Sequence, residues 1–226
     1  MKRNLSLILS AFSALLLNSC VSYVNVSSSE SDAEILVDGK NVGKGSVANI
    51  PVNDNSCVTI KAEKPGYVTE EVTYCLKKSS PRPPLKKYFE LKKDDSYEGS
   101  ARMDNANTDM EIEISKKYNE SEAWKISLNV ITNYIYDIES NEKESGYLRT
   151  AWVFKTFPSA NKVVRTKILV RQTNSSPLKY KLRIISEIAD GIITSVKEDD
   201  KFREWDRVLK KFSELPLEFQ SKLGVK

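Results

Sequence analysis

Three thiols and a set of eight cations are the side chains of this sequence whose types and spacing could do chemistry. Cys20 closes an apolar N-terminal run, while Cys57 and Cys75 sit in a stretch of alternating polar and apolar residues. An even pair of cysteines in an oxidising compartment is the pattern of a structural disulfide; two free thiols are the alternative. The cations are Arg149, Lys155, Arg165, Lys167, Arg171, Lys179, Lys181 and Arg183. Strand alternation sends all eight to one sheet face, where they would attract phosphorylated lipid headgroups, acidic glycans or an acidic protein. The plainer reading is a solvated face that keeps an exposed sheet soluble, partly neutralised by Asp137, Glu139 and Glu187.

Other chemistries have little to work with. The sequence holds no histidine, which removes imidazole acid–base catalysis and every metal site built on imidazole. No metal and no cofactor is expected. A carboxylate-dependent hydrolase of envelope polymers would need two carboxyls about 5–10 Å apart in a cleft, and no pair stands out. The chain is therefore expected not to be an enzyme. Glu70-Glu71 and Asp199-Asp200 read as solvated charge or a helix start, and Trp124, Trp152 and Trp205 as core residues rather than sugar platforms. Gly39 to Ser46 superficially suggests a phosphate loop, but the glycine spacing is one residue short and Gly45 separates Lys44 from Ser46. No helix is expected after it to offer its N-terminus to phosphate, so it reads as a hairpin.

Lys2 and Arg3 precede a mostly apolar run from Leu5 to Leu17, too short to span a bilayer but of signal-peptide length. Leu17-Asn18-Ser19-Cys20 resembles a lipobox, which implies cleavage after residue 19 and acylation of Cys20. Asn18 departs from the small or apolar residues usual there. An ordinary signal peptide cut near Ser19, leaving a plain thiol, is the alternative. Two or three acyl chains would anchor the protein firmly, since each buried methylene contributes about 0.8 kcal/mol. Val21-Ser22-Tyr23 lacks the Asp that marks inner-membrane retention, which favours the outer membrane, with either surface possible.

The 35 Lys and Arg nearly balance the 31 Asp and Glu, and losing Lys2 and Arg3 narrows the difference further. Global charge thus gives no argument for nucleic-acid binding. Residues 20–30 read as a lipidated tether, and 31–93 as a small β-sandwich. Its short strands turn at Asp38-Gly39 and at Lys64-Pro65-Gly66. On the strands Ser56–Glu63 and Tyr67–Leu76, Val58, Ile60 and Ala62 face the core against Val72 and Tyr74. Cys57 and Cys75 then share the outer face, where a cross-strand disulfide is geometrically reasonable.

Ile35-Leu36-Val37-Asp38-Gly39, Gly43-Lys44-Gly45 and Lys64-Pro65-Gly66-Tyr67 resemble the PEGA domain, a small β module of bacterial envelope proteins. Ser46-Val47 replaces that family's Thr-Pro, and Ser31-Asp32-Ala33-Glu34 stands where its Pro-x-Gly-Ala would be. The resemblance covers roughly residues 30–92 and implies a non-catalytic binding or spacer module.

Residues 94–108 have linker composition, and 109–226 read as an α+β domain of helix, antiparallel sheet, helix. Asn119 or Ser121 caps a helix through Trp124 and Ile131. Four strand-like runs follow, at Tyr134–Glu139, Tyr147–Thr156, Val163–Gln172 and Leu178–Ile188. A closing helix carries Phe202, Trp205, Val208, Leu209 and Phe212 until Pro216 stops or kinks it. A Trp-bearing helix followed by Ser145-Gly146-Tyr147-Leu148-Arg149-Thr150-Ala151-Trp152 is similar to the helix-grip domains of the lipoprotein C subunit of the β-barrel assembly machinery. That likeness implies an envelope scaffold with no catalytic residues.

The expectation is a non-enzymatic, membrane-anchored envelope lipoprotein that binds or scaffolds, with an envelope protein or acidic polymer as partner and no nucleic acid. A structural subunit pairing through strand edges in a surface assembly is the second reading.

Overall fold

The computed structural model of the protein describes residues 21–191 and 198–225. The expected signal segment, residues 1–19, and Cys20 lie outside the described residues. The chain divides after Leu91 into two compact units.

The first unit is two packed sheets. Strands β1 (Val21–Ser28), β4 (Ser46–Asn53) and β7 (Lys86–Phe89) form one, in the order β4-β1-β7. Strands β2 (Glu34–Val37), β3 (Lys40–Lys44), β5 (Cys57–Glu63) and β6 (Glu70–Cys75) form the other, in the order β3-β2-β5-β6. Alternation sends Val24 and Val26, Ile50 and Val52, and Val58, Ile60 and Ala62 into one shared core with Ile35 and Phe89. The β2–β3 turn has Asp38 and Gly39 both at positive φ, 48° and 78°, the conformation that makes Asp-Gly a hairpin signal. The phosphate-loop lookalike is this hairpin and its exit. Within the expected tether, residues 20–30, β1 runs from Val21 to Ser28 and is the middle strand of its sheet.

In the second unit, β9 (Met110–Glu113), β10 (Ile138–Glu142), β11 (Tyr147–Thr150), β12 (Val153–Phe157), β13 (Lys162–Ser175), β14 (Leu178–Asp190) and β15 (Arg203–Glu204) make one antiparallel sheet. The long β13–β14 hairpin is its spine, and β9 and β15 share the far edge of β14. Helix α2 (Glu120–Tyr134) starts at Asn119, whose side chain caps the Glu122 amide while Glu122 caps the Asn119 amide in return. Its Trp124 meets Tyr180 of β14 edge-on, with ring centroids 6.0 Å apart, so α2 lies on the sheet face that carries Tyr180, Leu182 and Ile184.

The fold class is corrected. Strands hold 51% of the described residues and helices 17%, so the described chain is mostly β and not a balanced helix–sheet–helix α+β domain. The expected closing helix is the main reason. Arg203–Glu204 pairs with β14, the Trp205 amide bonds to the Ser186 carbonyl, and β16 (Arg207–Leu209) pairs with β8 (Ser100–Arg102). Backbone partners on neighbouring strands thus override an amphipathic pattern that is locally helical. Pro216 does not stop a helix; it sits in the first turn of α3 (Leu215–Leu223), where its missing N–H costs nothing. Residues 94–108 are likewise part of the folded unit, through α1 (Asp95–Glu98) and β8. Asp94 is buried, caps α1 and pairs with Lys162 at 2.7 Å.

Candidate binding face

Register decides which cations share a surface, because residues directly opposite one another lie on one side of a sheet. Arg165 stands opposite Glu187, Lys167 opposite Ile185, Leu169 between Arg149 and Arg183, and Arg171 between Tyr147 and Lys181. These residues face away from the buried set of Leu148, Ile168, Val170, Tyr180, Leu182 and Ile184. Lys179 joins the same outer face further along β14.

Lys155 does not, and is corrected. The strand breaks at Ala151-Trp152, so the pairing resumes one residue out of step, with Phe154 opposite Arg165 and Lys155 opposite Val164. A one-residue slip exchanges the two faces. Trp152 and Phe154, expected in the core, therefore move to the cationic side. The Arg165 guanidinium lies 4.2 Å from the Trp152 ring centroid and 4.1 Å from that of Phe202, and Lys167 Nζ lies 4.2 Å from Trp152.

Most of the remaining cations are neutralised. Arg149 pairs with Glu139 at 3.0 Å and Lys179 with Glu111 at 2.8 Å. Asp109 holds Arg183 at 2.5 Å and Lys181 at 3.5 Å. Arg165, with a side chain only 6% exposed, places both Nε and Nη2 2.6 Å from Glu187 Oε2 and also bonds Asp199. The Arg183 bond, then the nearby charges of Arg183 and Lys181, hold the Asp109 carboxyl below its ordinary range despite some desolvation. Lys179 does the same for Glu111. Burial, and then repulsion from Arg149, pulls the Lys167 ammonium down.

Arg171 is different. It is exposed, no carboxylate of the described residues pairs with it, and it directly opposes the like charge of Lys181. Like charges directly opposed on a sheet are destabilising. Around it, Tyr147, Leu169, Thr173, Lys181, Arg183 and Asp109 line a hollow of about 230 Å³. An acidic group entering there would meet Arg171 unpaired and could compete with Asp109 for Lys181.

Of the three neutralising acids read from sequence, Glu139 and Glu187 make ion pairs with the face. Glu111 comes from β9 and Asp109 from the residue just before it; strand alternation puts Glu111 and Glu113 on one side. Asp199, Trp152 and Phe202 carried no usable signal, since they arrive through a strand break and a distant loop.

Cys57 and Cys75 are directly opposed on β5 and β6 and are joined by a disulfide, with Cα atoms 4.0 Å apart. The same unit has an open cleft of about 710 Å³ whose carboxylates are held by lysines. Lys64 lies 2.7 Å from Asp32 and 2.6 Å from Glu30, Lys44 lies 3.7 Å from Glu34, and Lys61 lies 2.5 Å from Glu63. The Lys64 hydrogen bond holds Asp32 below its usual range, which suits it to remain ionised rather than to donate a proton. Among the described residues no group of three Cys, Asp or Glu is placed to hold a metal, and no helix is long and apolar enough to cross a membrane. No family model, curated protein or solved structure matches the chain.

Proposed function

We propose that this protein is a non-enzymatic, lipid-anchored protein of the bacterial cell envelope, whose PEGA-like β unit carries a β-rich unit that binds an acidic partner. Arg171 carries the reading: an exposed guanidinium without a carboxylate, set against Lys181 over a hollow on a face whose other cations, Lys167 apart, are paired with carboxylates. The disulfide supports an oxidising compartment. The apolar run ending in Leu17-Asn18-Ser19-Cys20 supports acylation at Cys20 and an outer-membrane location.

The test is a crosslinked pull-down from native membranes, comparing the wild type with Lys167→Glu/Arg171→Glu. Arg165 is left alone because it is buried and paired, so altering it would damage the fold. Recovery of one envelope protein or acidic polymer by the wild type alone supports the reading. Recovery of the same partner by both overturns the cationic face and favours pairing through strand edges. Acylation is tested separately, by incorporation of labelled palmitate that Cys20→Ser abolishes; incorporation unchanged in that variant rules out Cys20 as the anchor.

A further inference from the structure

Lys155, displaced from the outer face, lines a second cleft. Lys155 belongs to β12, Lys210 and Lys211 follow β16, and all three exposed ammonium groups rim a hollow of about 350 Å³. Its floor is apolar, made by Val153, Phe157 and Leu209. Gly99 completes the wall: a Cβ there would lie 2.6 Å from Phe157 Cε1, so only glycine lets that ring lie where it does. The Lys210 amide donates to the Gly99 carbonyl at 3.1 Å, and Leu209 pairs with Ser100, which fixes the lysine-bearing segment against the wall.

No carboxylate lines this cleft, and none of the ion pairs among the described residues involves these three lysines. An edge strand such as β12 commonly carries a lysine to discourage pairing, which would account for Lys155 alone. It does not account for two more lysines brought in from a distant segment. Three like charges drawn together repel, and an anion between them relieves that repulsion. A bare anion would have no use for the apolar floor, and a neutral lipid none for the lysines. The volume falls within the ordinary range of small-molecule sites, about 300–1,000 Å³.

We infer that this cleft binds an amphiphile with one apolar chain and an anionic head, the head held by Lys155, Lys210 and Lys211 and the chain laid on Val153, Phe157 and Leu209. Such a head-and-chain could be a free single-chain anion or an anionic lipid of a bilayer.

The probe is dodecyl phosphate, titrated calorimetrically into the full chain below the micelle threshold. Saturable binding is expected, weakened about tenfold or more in Lys155→Gln/Lys210→Gln/Lys211→Gln and kept in the corresponding triple Arg variant. Dodecyl maltoside, with the same chain and no charge, is expected to bind at least about tenfold more weakly. The exposed positions of the lysines leave thermal unfolding of both variants close to wild type, which is checked in parallel. Absence of saturable binding, equal binding by the Gln variant, or equal binding of the maltoside each overturns the inference. Vesicles of phosphatidylglycerol and of phosphatidylcholine distinguish the two sources. Lysine-dependent sedimentation with the first alone shows that the cleft reaches a bilayer lipid; dodecyl phosphate binding without it shows a free amphiphile.

Discussion

Arg165 and Arg171 stand on the same strand and the same face, yet they live in different surroundings. Arg165 is buried between Trp152 and Phe202 and is held by Glu187 and Asp199. Arg171 projects into solvent opposite another cation. Alternation along β13 gives them equal standing. What separates them is what reaches each end of the strand: β12 and the segment around Phe202 fold over Arg165, whereas no described residue covers Arg171. A buried, fully paired guanidinium belongs to the structure, and an exposed, opposed one is available to a partner.

Arg165→Ala should break this contrast most severely. It leaves Glu187 without its partner in a mostly buried setting, at an expected cost of about 3–5 kcal/mol, read as a lowered urea midpoint. A loss under about 1 kcal/mol would mean that Arg165 is as dispensable as its exposed neighbour. A control lies in the first unit. Cys57→Ala/Cys75→Ala should cost about 3 kcal/mol by releasing a short loop, measured as a drop in thermal midpoint, while leaving partner capture unchanged.

Asp109→Asn sharpens the other end of the face. It frees Lys181 and Arg183, so capture of an acidic partner should strengthen several-fold at low salt, by loss of about one competing charge. The same substitution changes the acid response. The Asp109 carboxyl is held below its ordinary value of 3.8 in the folded protein. Its contribution is therefore complete above that value and fades as pH falls through the lowered one. The Asn variant should lack this part of the stability loss in an acid titration, and identical acid curves would show that the Asp109 pairs are immaterial. The smallest effect is expected of Arg171→Ala. Its stability should stay within about 0.5 kcal/mol of wild type, and a larger drop in urea denaturation would make Arg171 structural too.

Features set by neighbours in sequence were legible in advance. Asn119 caps α2 because its side chain reaches an amide three residues on, and the Asp38-Gly39 turn follows from backbone freedom at two adjacent residues. Alternation on the two strands put Cys57 and Cys75 on one face, and the strand register then set them directly opposite each other. Lys155 and Trp152 were placed on the wrong faces because a one-residue break in a strand leaves no mark in the pattern of residue types. The segment containing Phe202, Trp205, Val208 and Leu209 was misread for a related reason. Its apolar spacing fits a helix, and only the unpaired edges of β14 and β8 make it strand.

The sequence by itself determined the disulfide hairpin, the capped α2, the alternation of β13 and β14, and the presence of a cationic outer face. These depend on local backbone preference and a period of two, both written into adjacent residues. Only the tertiary structure decided which cations are consumed by carboxylates, which are left without one, and where Lys155 meets Lys210 and Lys211. Charge pairing depends on which distant segments arrive within a few ångströms, and that is set by strand register and chain return rather than by any property of the charged residues themselves.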